Sequence, residues 1–194
     1  MENDQHLLRE FINRIHPLSD DEWSAFSEHW QPMIAKRKTI LTASGETERY
    51  LYFVLEGVQR AFYLGDNERE ATIVFTYAPS FSGVVDSLLT QLPSKFYFET
   101  ITASRFIRLR SDHLLRLMEE HAGIRLFIIK ALAHSLHGVL ERQAEVQVFS
   151  SEEKFRTLLK RSPHLLNLVP HKYIASYLGI DATNFSKLLS TVSI

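Results

Sequence analysis

Several polar side chains near the C-terminus are of the types that contact nucleic-acid bases and phosphates. They are Thr183, Asn184, Ser186 and Lys187. An Asn amide can pair with adenine, and a Lys ammonium can bind guanine or a phosphate oxygen. Ala182 precedes this group on the same predicted helix, and Lys172 lies ten residues earlier. These six residues are the candidate DNA contacts.

Two short helices joined by a tight turn must position these side chains. Pro170 suits the opening of the first helix, where a missing N–H costs little. Gly179 allows the chain to leave that helix sharply. Asp181 can cap the second helix by accepting a backbone N–H. The segment therefore predicts a helix-turn-helix of the DNA-reading kind, with an ordinary corner between two helices as the alternative.

The charge distribution agrees with a nucleic-acid-binding C-terminal region. The chain of 194 residues has a net charge of −1. Residues 150–194 contain six basic and three acidic residues, a net charge of +3, which leaves −4 for the rest. Four of the basic residues are candidate phosphate contacts that would orient the protein on DNA. They are Lys154, Arg156, Lys160 and Arg161. The alternative explanations are chance for the uneven net charge, and ordinary solvent-exposed charge for each of the four basic residues.

Composition excludes several classes of function. The chain has no cysteine, so it has no disulfide, thiol nucleophile or cysteine metal site. None of the nine histidines lies between His29 and His113, where the strands are expected, which argues against a metal enzyme of the cupin type. The acidic N-terminus is unlike a secretory signal, and Lys130 and His134 interrupt the most apolar helix. We expect a cytoplasmic protein without cofactor, metal, membrane span or catalytic site.

Residues 33–110 have the pattern of a β-domain. Short apolar runs alternate with turn signals and have no helices between them, which predicts an antiparallel sandwich or barrel of the jelly-roll type. A short helix is expected around Val84–Leu89. The predicted strands are Met33–Arg37, Thr39–Leu41, Tyr50–Leu55, Val58–Leu64, Ala71–Thr76, Phe96–Ile101 and Arg105–Leu109.

Helical periodicity precedes and follows this β-domain, over residues 5–30 and 112–120. After Gly123 comes the longest predicted helix, about 25 residues and ~37 Å. It has two apolar faces, one to cover the β-domain and one for a partner copy. The face with small residues toward its far end is the predicted dimer face. It comprises Ile124, Ile128, Ala131, Ser135 and Gly138.

The predicted fold class is α+β: an antiparallel β-roll with flanking helices, a long dimerisation helix and a small all-α helix-turn-helix domain. The predicted boundaries are 1–120 for a sensor domain, 121–148 for the dimerisation helix and 149–194 for the DNA-binding domain. The last domain is expected to be too short for a β-hairpin wing.

This order of parts resembles the Crp/Fnr superfamily of bacterial transcription regulators. Tyr52–Val58 is similar to that family's strand-turn-strand hairpin, and Lys172–Ile180 is similar to its DNA reader. The resemblance implies a cyclic-nucleotide-binding-like roll that biases two reading heads of a dimer on a palindromic DNA site. Phe81–Ser94 falls where members that bind cyclic AMP have their phosphate-binding cassette.

The cassette departs from the family pattern. Gly83 is kept, but Val84 replaces the acidic residue, and the Arg position falls at Ser94 or Lys95. An unpaired phosphate is costly to bury, so we predict that cyclic AMP does not bind in the classical way. Four apolar side chains, Phe81, Val84, Val85 and Phe96, suggest a closed pocket or a less polar ligand. The full set of candidate pocket residues is Arg60, Phe81, Gly83, Val84, Val85, Ser94, Lys95 and Phe96.

The reading helix also departs from the family. Relatives often present Arg, Glu and a second Arg to the bases, and this chain has Ala182, Thr183 and Lys187 there. Two functions remain after the cupin enzyme is set aside. The first is a homodimeric transcription regulator that binds double-stranded DNA, with a possible small-molecule effector in the roll. The second is a sensory or scaffolding dimer whose DNA-binding head has decayed.

Overall fold

The computed structural model describes residues 2–191. The helices are α1 (Glu2–Ile15), α2 (Asp20–Ser27), α3 (Val85–Thr90), α4 (Ser111–Glu120), α5 (Ala122–Val148), α6 (Ser151–Arg161), α7 (Leu165–Leu168), α8 (His171–Leu178) and α9 (Ala182–Thr191). The strands are β1 (Gln31–Ala35), β2 (Ile40–Thr42), β3 (Tyr50–Glu56), β4 (Val58–Leu64), β5 (Glu70–Tyr77), β6 (Ser80–Ser82), β7 (Tyr97–Thr100) and β8 (Ser104–Arg110). The predicted 149–194 domain extends three residues beyond the described part.

The strands form two antiparallel four-stranded sheets, ordered β1-β8-β3-β6 and β2-β7-β4-β5. The α+β class, the β-roll, the flanking helices and the long helix are confirmed. The predicted hairpin at Tyr52–Val58 is wrong in one respect, because β3 and β4 belong to different sheets and do not pair. Gly57 turns the chain from one sheet into the other at a φ of 90°.

Three hydrophobic cores are stacked across the roll. The first joins the flanking helices to one face of the β3 sheet, through residues such as Phe53 and Ile107. The second lies between the sheets and contains Tyr52 and Phe106. The third joins the outer face of the β5 sheet to helices α6–α9, through residues such as Phe75. Because both faces of β3 are covered, Leu51 to Leu55 form an unbroken buried run instead of an alternating one.

Each predicted strand has a counterpart whose ends differ by two residues or less, and two short elements were missed. The strand β6 has the sequence Ser-Phe-Ser, which is too short and polar for a period-two signal. It is recognisable only because it pairs with Tyr52, Phe53 and Val54 of β3. The helix α7 is a single turn of four residues.

The helix α5 spans 27 residues and is long and apolar enough to cross a membrane by composition. Its first turns instead pack into the first core, where Ile124 and Phe127 are fully buried. Further along, Glu145 is buried in an ion-pair network. The apolar residues of α5 are therefore of two kinds. Those at its first end are buried in the chain's own core, and those in its middle form an exposed stripe.

We predict that Gly57→Ala destabilises the fold more than Gly45→Ala. Both glycines have a φ near +90°, but only at Gly57 would a Cβ lie 2.4 Å from the Ser104 hydroxyl and 2.5 Å from the Ala103 carbonyl oxygen. Backbone strain alone should cost roughly 1–2 kcal/mol at Gly45. Overpacking should add roughly 1–3 kcal/mol at Gly57. Urea denaturation of both variants measures the difference, and equal losses would contradict the predicted crowding.

Candidate functional site

Side chains fill the interior of the roll. Tyr52, Phe98 and Phe106 are each 2 % exposed or less, and their rings pack at centroid distances of 5.4–5.7 Å around Tyr52. Val54 and Val84 complete the apolar lining. Where the resemblance implies a nucleotide pocket, the space between the sheets is therefore closely packed by aromatic groups.

A buried carboxylate lies at the start of the cassette segment. Glu48, in the loop between β2 and β3, is 1 % exposed. Its Oε2 accepts from the Thr42 hydroxyl at 2.7 Å and from the Val84 N–H at 3.2 Å. Its Oε1 accepts from the backbone N–H groups of Arg49 at 3.0 Å and Tyr50 at 3.2 Å. The loop that holds Glu48 is thus tied to the residue after Gly83.

Burial controls the acidity of this cluster. Desolvation raises the pKa of Glu48 above its usual value, and the hydrogen bonds from Thr42 and the backbone N–H groups act against that rise. Desolvation also raises the pKa of the neighbouring Tyr52, and the charge of Glu48 raises it further. The Tyr52 hydroxyl therefore stays protonated and neutral.

The structure does not bring the predicted pocket residues together. Gly83 and Val84 lie at the cassette, and Phe96 packs at the edge of the inner core. Phe81 instead faces the flanking helices, in ring contact with Phe11 and Phe127, because β6 turns it to the outer face of its sheet. Lys95 is exposed.

Two further pocket predictions also need correction. Val85 is 37 % exposed on the outside of the roll, where it lines a groove beside α5. The Ser94 hydroxyl is occupied by its own turn, because it donates to the Phe96 carbonyl and accepts from the Phe96 N–H, both at 2.8 Å. Neither side chain is available to a ligand between the sheets.

Arg60 is the clearest correction to the predicted pocket. This side chain does not enter the roll, because it lies on the outer face of the β5 sheet, where it is 1 % exposed. It forms ion pairs with Glu99 at 2.6 Å and Glu70 at 2.7 Å. The rings of Phe62 and Tyr173 lie 4.0 and 3.5 Å from its guanidinium carbon. Since Tyr173 belongs to α8, this buried cation joins the roll to the C-terminal helices.

The edge strand β5 is also bonded to α8. The Ser176 hydroxyl accepts from the Thr72 N–H at 3.0 Å and donates to the Glu70 carbonyl at 3.1 Å. The Tyr77 hydroxyl is hydrogen-bonded to Ser162 just after α6. A helix therefore satisfies part of a sheet edge that would otherwise face solvent.

A second group of contacts joins helices α6–α9, which we call the head, to α5. Glu145 is 6 % exposed and lies between Arg142 at 3.2 Å and Arg161 at 2.6 Å. Arg142 also donates to the Tyr177 carbonyl at 2.6 Å. Arg161 was a candidate phosphate contact, and here it is engaged within the chain. Of the other three, Arg156 is paired with Glu152 at 2.8 Å.

The segment α8–α9 consists of two helices joined by a tight turn. Gly179 ends α8 with a φ of 63° in the left-handed region. The Asp181 carboxylate accepts from the Asn184 N–H at 2.9 Å at the start of α9. Phe185 and Leu188 face α6 and α8, and both are buried. The opposite side of α9 is therefore free of contacts with these helices.

Most of the predicted DNA contacts lie on that free side. Ala182, Thr183, Ser186 and Lys187 are exposed on α9, and Lys172 is exposed near the start of α8. Asn184 is the exception, because its side-chain amide donates to the Ser151 hydroxyl at 3.1 Å and holds α9 to α6. That Nδ2–H is then not available to a base.

The predicted dimer face of α5 needs correction as well. Ile124 is fully buried and Ile128 is 6 % exposed, both in the chain's own core. Ala131, Ser135 and Gly138 line a cavity of about 780 Å³ between α5, β5 and the head. Five large exposed apolar side chains of α5 lie on another face, and Val148 is exposed at its last residue. The five are Leu126, Ile129, Leu136, Val139 and Leu140, each 41–59 % exposed.

Sequence reasoning missed Glu48, Tyr173 and Ser176. A lone Glu in a turn and a Ser in an amphipathic helix give no pattern, because the bond that ties Glu48 to the cassette spans 36 residues and the partners of Ser176 lie over 100 residues away in sequence. Tyr173 is only partly buried, so its helical position alone did not mark it as a contact of Arg60. Among residues 2–191, no cluster of three or more His, Cys, Asp or Glu side chains has a metal-binding arrangement.

Comparisons with known proteins agree with this architecture. Residues 33–121 match the family model of the cyclic nucleotide-binding domain. None of the curated protein sequences matches the chain. Three solved structures illustrate the similarity of fold, and at 15 % identity each shows the fold alone.

FixK2 from Bradyrhizobium japonicum has a TM-score of 0.74, with 83 % of each chain covered and 15 % identity. CLP, a global regulator of Xanthomonas campestris described as responsive to c-di-GMP, has a TM-score of 0.65, covers 89 % of this chain and 90 % of its own, and is 15 % identical. A protein of Eubacterium rectale described as a Crp/Fnr-family transcriptional regulator has a TM-score of 0.70, covers 89 % and 82 %, and is 15 % identical.

We predict that Arg60→Ala lowers the free energy of unfolding by about 3–5 kcal/mol, because the buried Glu99 then loses its partner. The matched control is Arg105→Ala, which removes an Arg from a partly exposed pair with Asp4 and Glu56. That change should cost about 1 kcal/mol or less. Urea denaturation at neutral pH compares them, and equal losses would show that Arg60 does not join roll and head as described.

Proposed function

We propose that this chain, whose fold is of the Crp/Fnr type, is a cytoplasmic DNA-binding transcription regulator that acts as a homodimer. The observation that carries the proposal is the geometry of α8 and α9. A helix ending at a left-handed Gly179, a capped second helix and a free polar face on that second helix are the features by which helix-turn-helix proteins read a major groove.

The exposed stripe of α5 supports the dimer. Ile129 and Leu136 are seven residues apart, and so are Leu126, Ala133 and Leu140, which is the heptad spacing of a coiled-coil seam. A row of large apolar side chains that are about half exposed is unusual on a monomer. A second copy of α5 related by two-fold symmetry would cover it with the same stripe.

The roll would regulate the heads through the contacts already described. Arg60 and Ser176 connect the β5 sheet to α8, and Arg142 connects α5 to the same helix. A change in the roll or in the dimer helix would therefore move α8, and α9 with it. A small-molecule effector of the roll other than cyclic AMP remains part of this proposal.

A sensory or scaffolding dimer with a decayed head is the second candidate. The specific observation in its favour is the exposed face of α9, where Lys187 is the one charged residue of that helix, and where Asn184 is bonded to Ser151. Such a head would make few phosphate contacts. DNA selection and salt dependence separate the two candidates.

We predict that the parent protein selects duplex DNA with two half-sites about 34 Å apart, the spacing of one helical turn. Binding should weaken as salt rises, because phosphate contacts release counterions. Lys187→Ala should reduce the slope of log K against log salt by roughly 1 if Lys187 contacts phosphate, and should relax sequence preference if it contacts a base. Gel shifts and selection from random DNA measure both effects.

Lys95→Ala is the matched control, because Lys95 is an exposed lysine of the roll, outside the head. It should leave affinity and salt slope unchanged. Selection that enriches no site, together with a flat salt response of the parent, would contradict the regulator and favour the decayed head.

We also predict that Leu136→Glu splits the dimer, because it would place two like charges inside the apolar seam. The control is His137→Glu, which adds a charge to the next residue, turned by about 100° around the helix axis. Sedimentation at micromolar concentration should show a dimer for the parent and for His137→Glu, and a monomer for Leu136→Glu. A monomeric parent would refute the proposed dimer.

A further inference from the structure

We propose that Glu48 is a tethered anion: its carboxylate occupies the position in the roll that the negatively charged group of a ligand would need. The roll of this chain then admits no anionic effector while Glu48 stays in place. This inference relies on the proposed function only in treating the roll as the regulatory part of the molecule.

The donors around Glu48 define an anion site. Three of its four hydrogen bonds come from backbone N–H groups, those of Arg49, Tyr50 and Val84, and these groups can only donate. A protonated carboxyl could place its hydrogen only on the Thr42 hydroxyl, which would then no longer donate to it. The ionised form is therefore the one that accepts from all four donors, two on each oxygen, and these bonds oppose the desolvation that raises the pKa of Glu48.

The site lies at the cassette. Val84 follows Gly83, which has a φ of 122° and whose Cβ position would lie 3.2 Å from the Tyr50 carbonyl oxygen and 3.5 Å from Oε2 of Glu48. The close approach at Gly83 is to the Tyr50 carbonyl oxygen, and the Glu48 carboxylate lies beside it at ordinary contact distance. The turn is shaped around a negatively charged group supplied by the same chain.

A second anion would be repelled from this position. Within the described part of the chain, no Arg or Lys forms an ion pair with Glu48, so hydrogen bonds alone balance its charge. The carboxylate is 1 % exposed, and water screens its charge poorly. A phosphate brought beside it would meet like charge in a medium of low dielectric constant.

The alternative is that Glu48 only ties its loop to α3, as the bond from the Glu48 N–H to the Ser87 hydroxyl at 3.0 Å also does. The two explanations differ once the carboxylate is removed. An anion site emptied by mutation should bind a small carboxylate from solution, and a mere loop tie should not.

The experiment therefore measures the melting temperature of Glu48→Ala with and without sodium acetate, at ionic strength matched with sodium chloride. Glu48→Ala should melt at least roughly 5 °C below the parent. Acetate at about 0.1 M should restore roughly 3 °C or more, as expected for a dissociation constant of roughly 10 mM. The parent should show no response, because its site is occupied.

Two variants control for charge and for loop position. Glu48→Gln keeps the size but replaces one acceptor oxygen by an NH₂ group, so it should melt below the parent and leave no space for acetate. Glu46→Ala removes a carboxylate of the same loop that is exposed and accepts one N–H, from Ala43 at 3.1 Å. It should not respond to acetate.

The proposal is overturned if acetate leaves the melting temperature of Glu48→Ala unchanged, or if Glu48→Gln melts with the parent. Should Glu48→Ala not fold, the carboxyl ¹³C shift of Glu48 in the parent decides. An ionised shift at neutral pH is expected, and a protonated carboxyl refutes the tethered anion. None of these measurements involves DNA, so their failure is distinct from failure of the proposed regulator.

Discussion

A single buried positive charge organises this molecule. Arg60 lies between two carboxylates of its own sheet and the ring of Tyr173 on α8, with almost no contact with water. Burying a guanidinium is favourable only if several partners surround it, and here one of them belongs to another part of the chain. The position of the head is thereby coupled to the internal electrostatics of the β5 sheet. Any movement of α8 away from the roll would take an aromatic face from a cation that has little access to water.

The elements of the fold could be predicted from sequence because they depend on local patterns. Gly179 and Asp181 form a turn and a cap within a few residues, and Val58–Leu64 is recognisable by β-branched and aromatic residues between turns. Which side of each element faces the core, and what its side chains contact there, could not be predicted in the same way. Arg60 on a strand gives no sign that Glu99 and Tyr173 will surround it, because those partners lie 39 and 113 residues away in sequence.

The long helix shows the same limit. Both of its faces are apolar, so periodicity indicates two buried stripes without saying which one belongs to the chain's own core. The first turns decide the matter, since the first core needs the volume of Phe127 and Ile128 beside Phe26. The small residues Ser135 and Gly138 then face the groove, and Leu136 and Leu140 remain outside. The sequence of the cassette has the same limit. Its departure from the family pattern could be recognised at Val84, but the proposed replacement of a ligand's charge by Glu48 could not be predicted.

The bond between Ser176 and the edge of β5 has an evolutionary consequence. An open sheet edge invites pairing with other chains, and α8 covers part of this one. A lineage that lost the head would uncover this edge together with the apolar surface around Phe75, and it would then aggregate. Selection for solubility alone is therefore enough to retain α8 in a descendant that has ceased to recognise DNA. In such proteins, the presence of the head indicates only that the sheet edge must be covered. Whether the head still binds DNA is indicated by the side chains on its outward face alone.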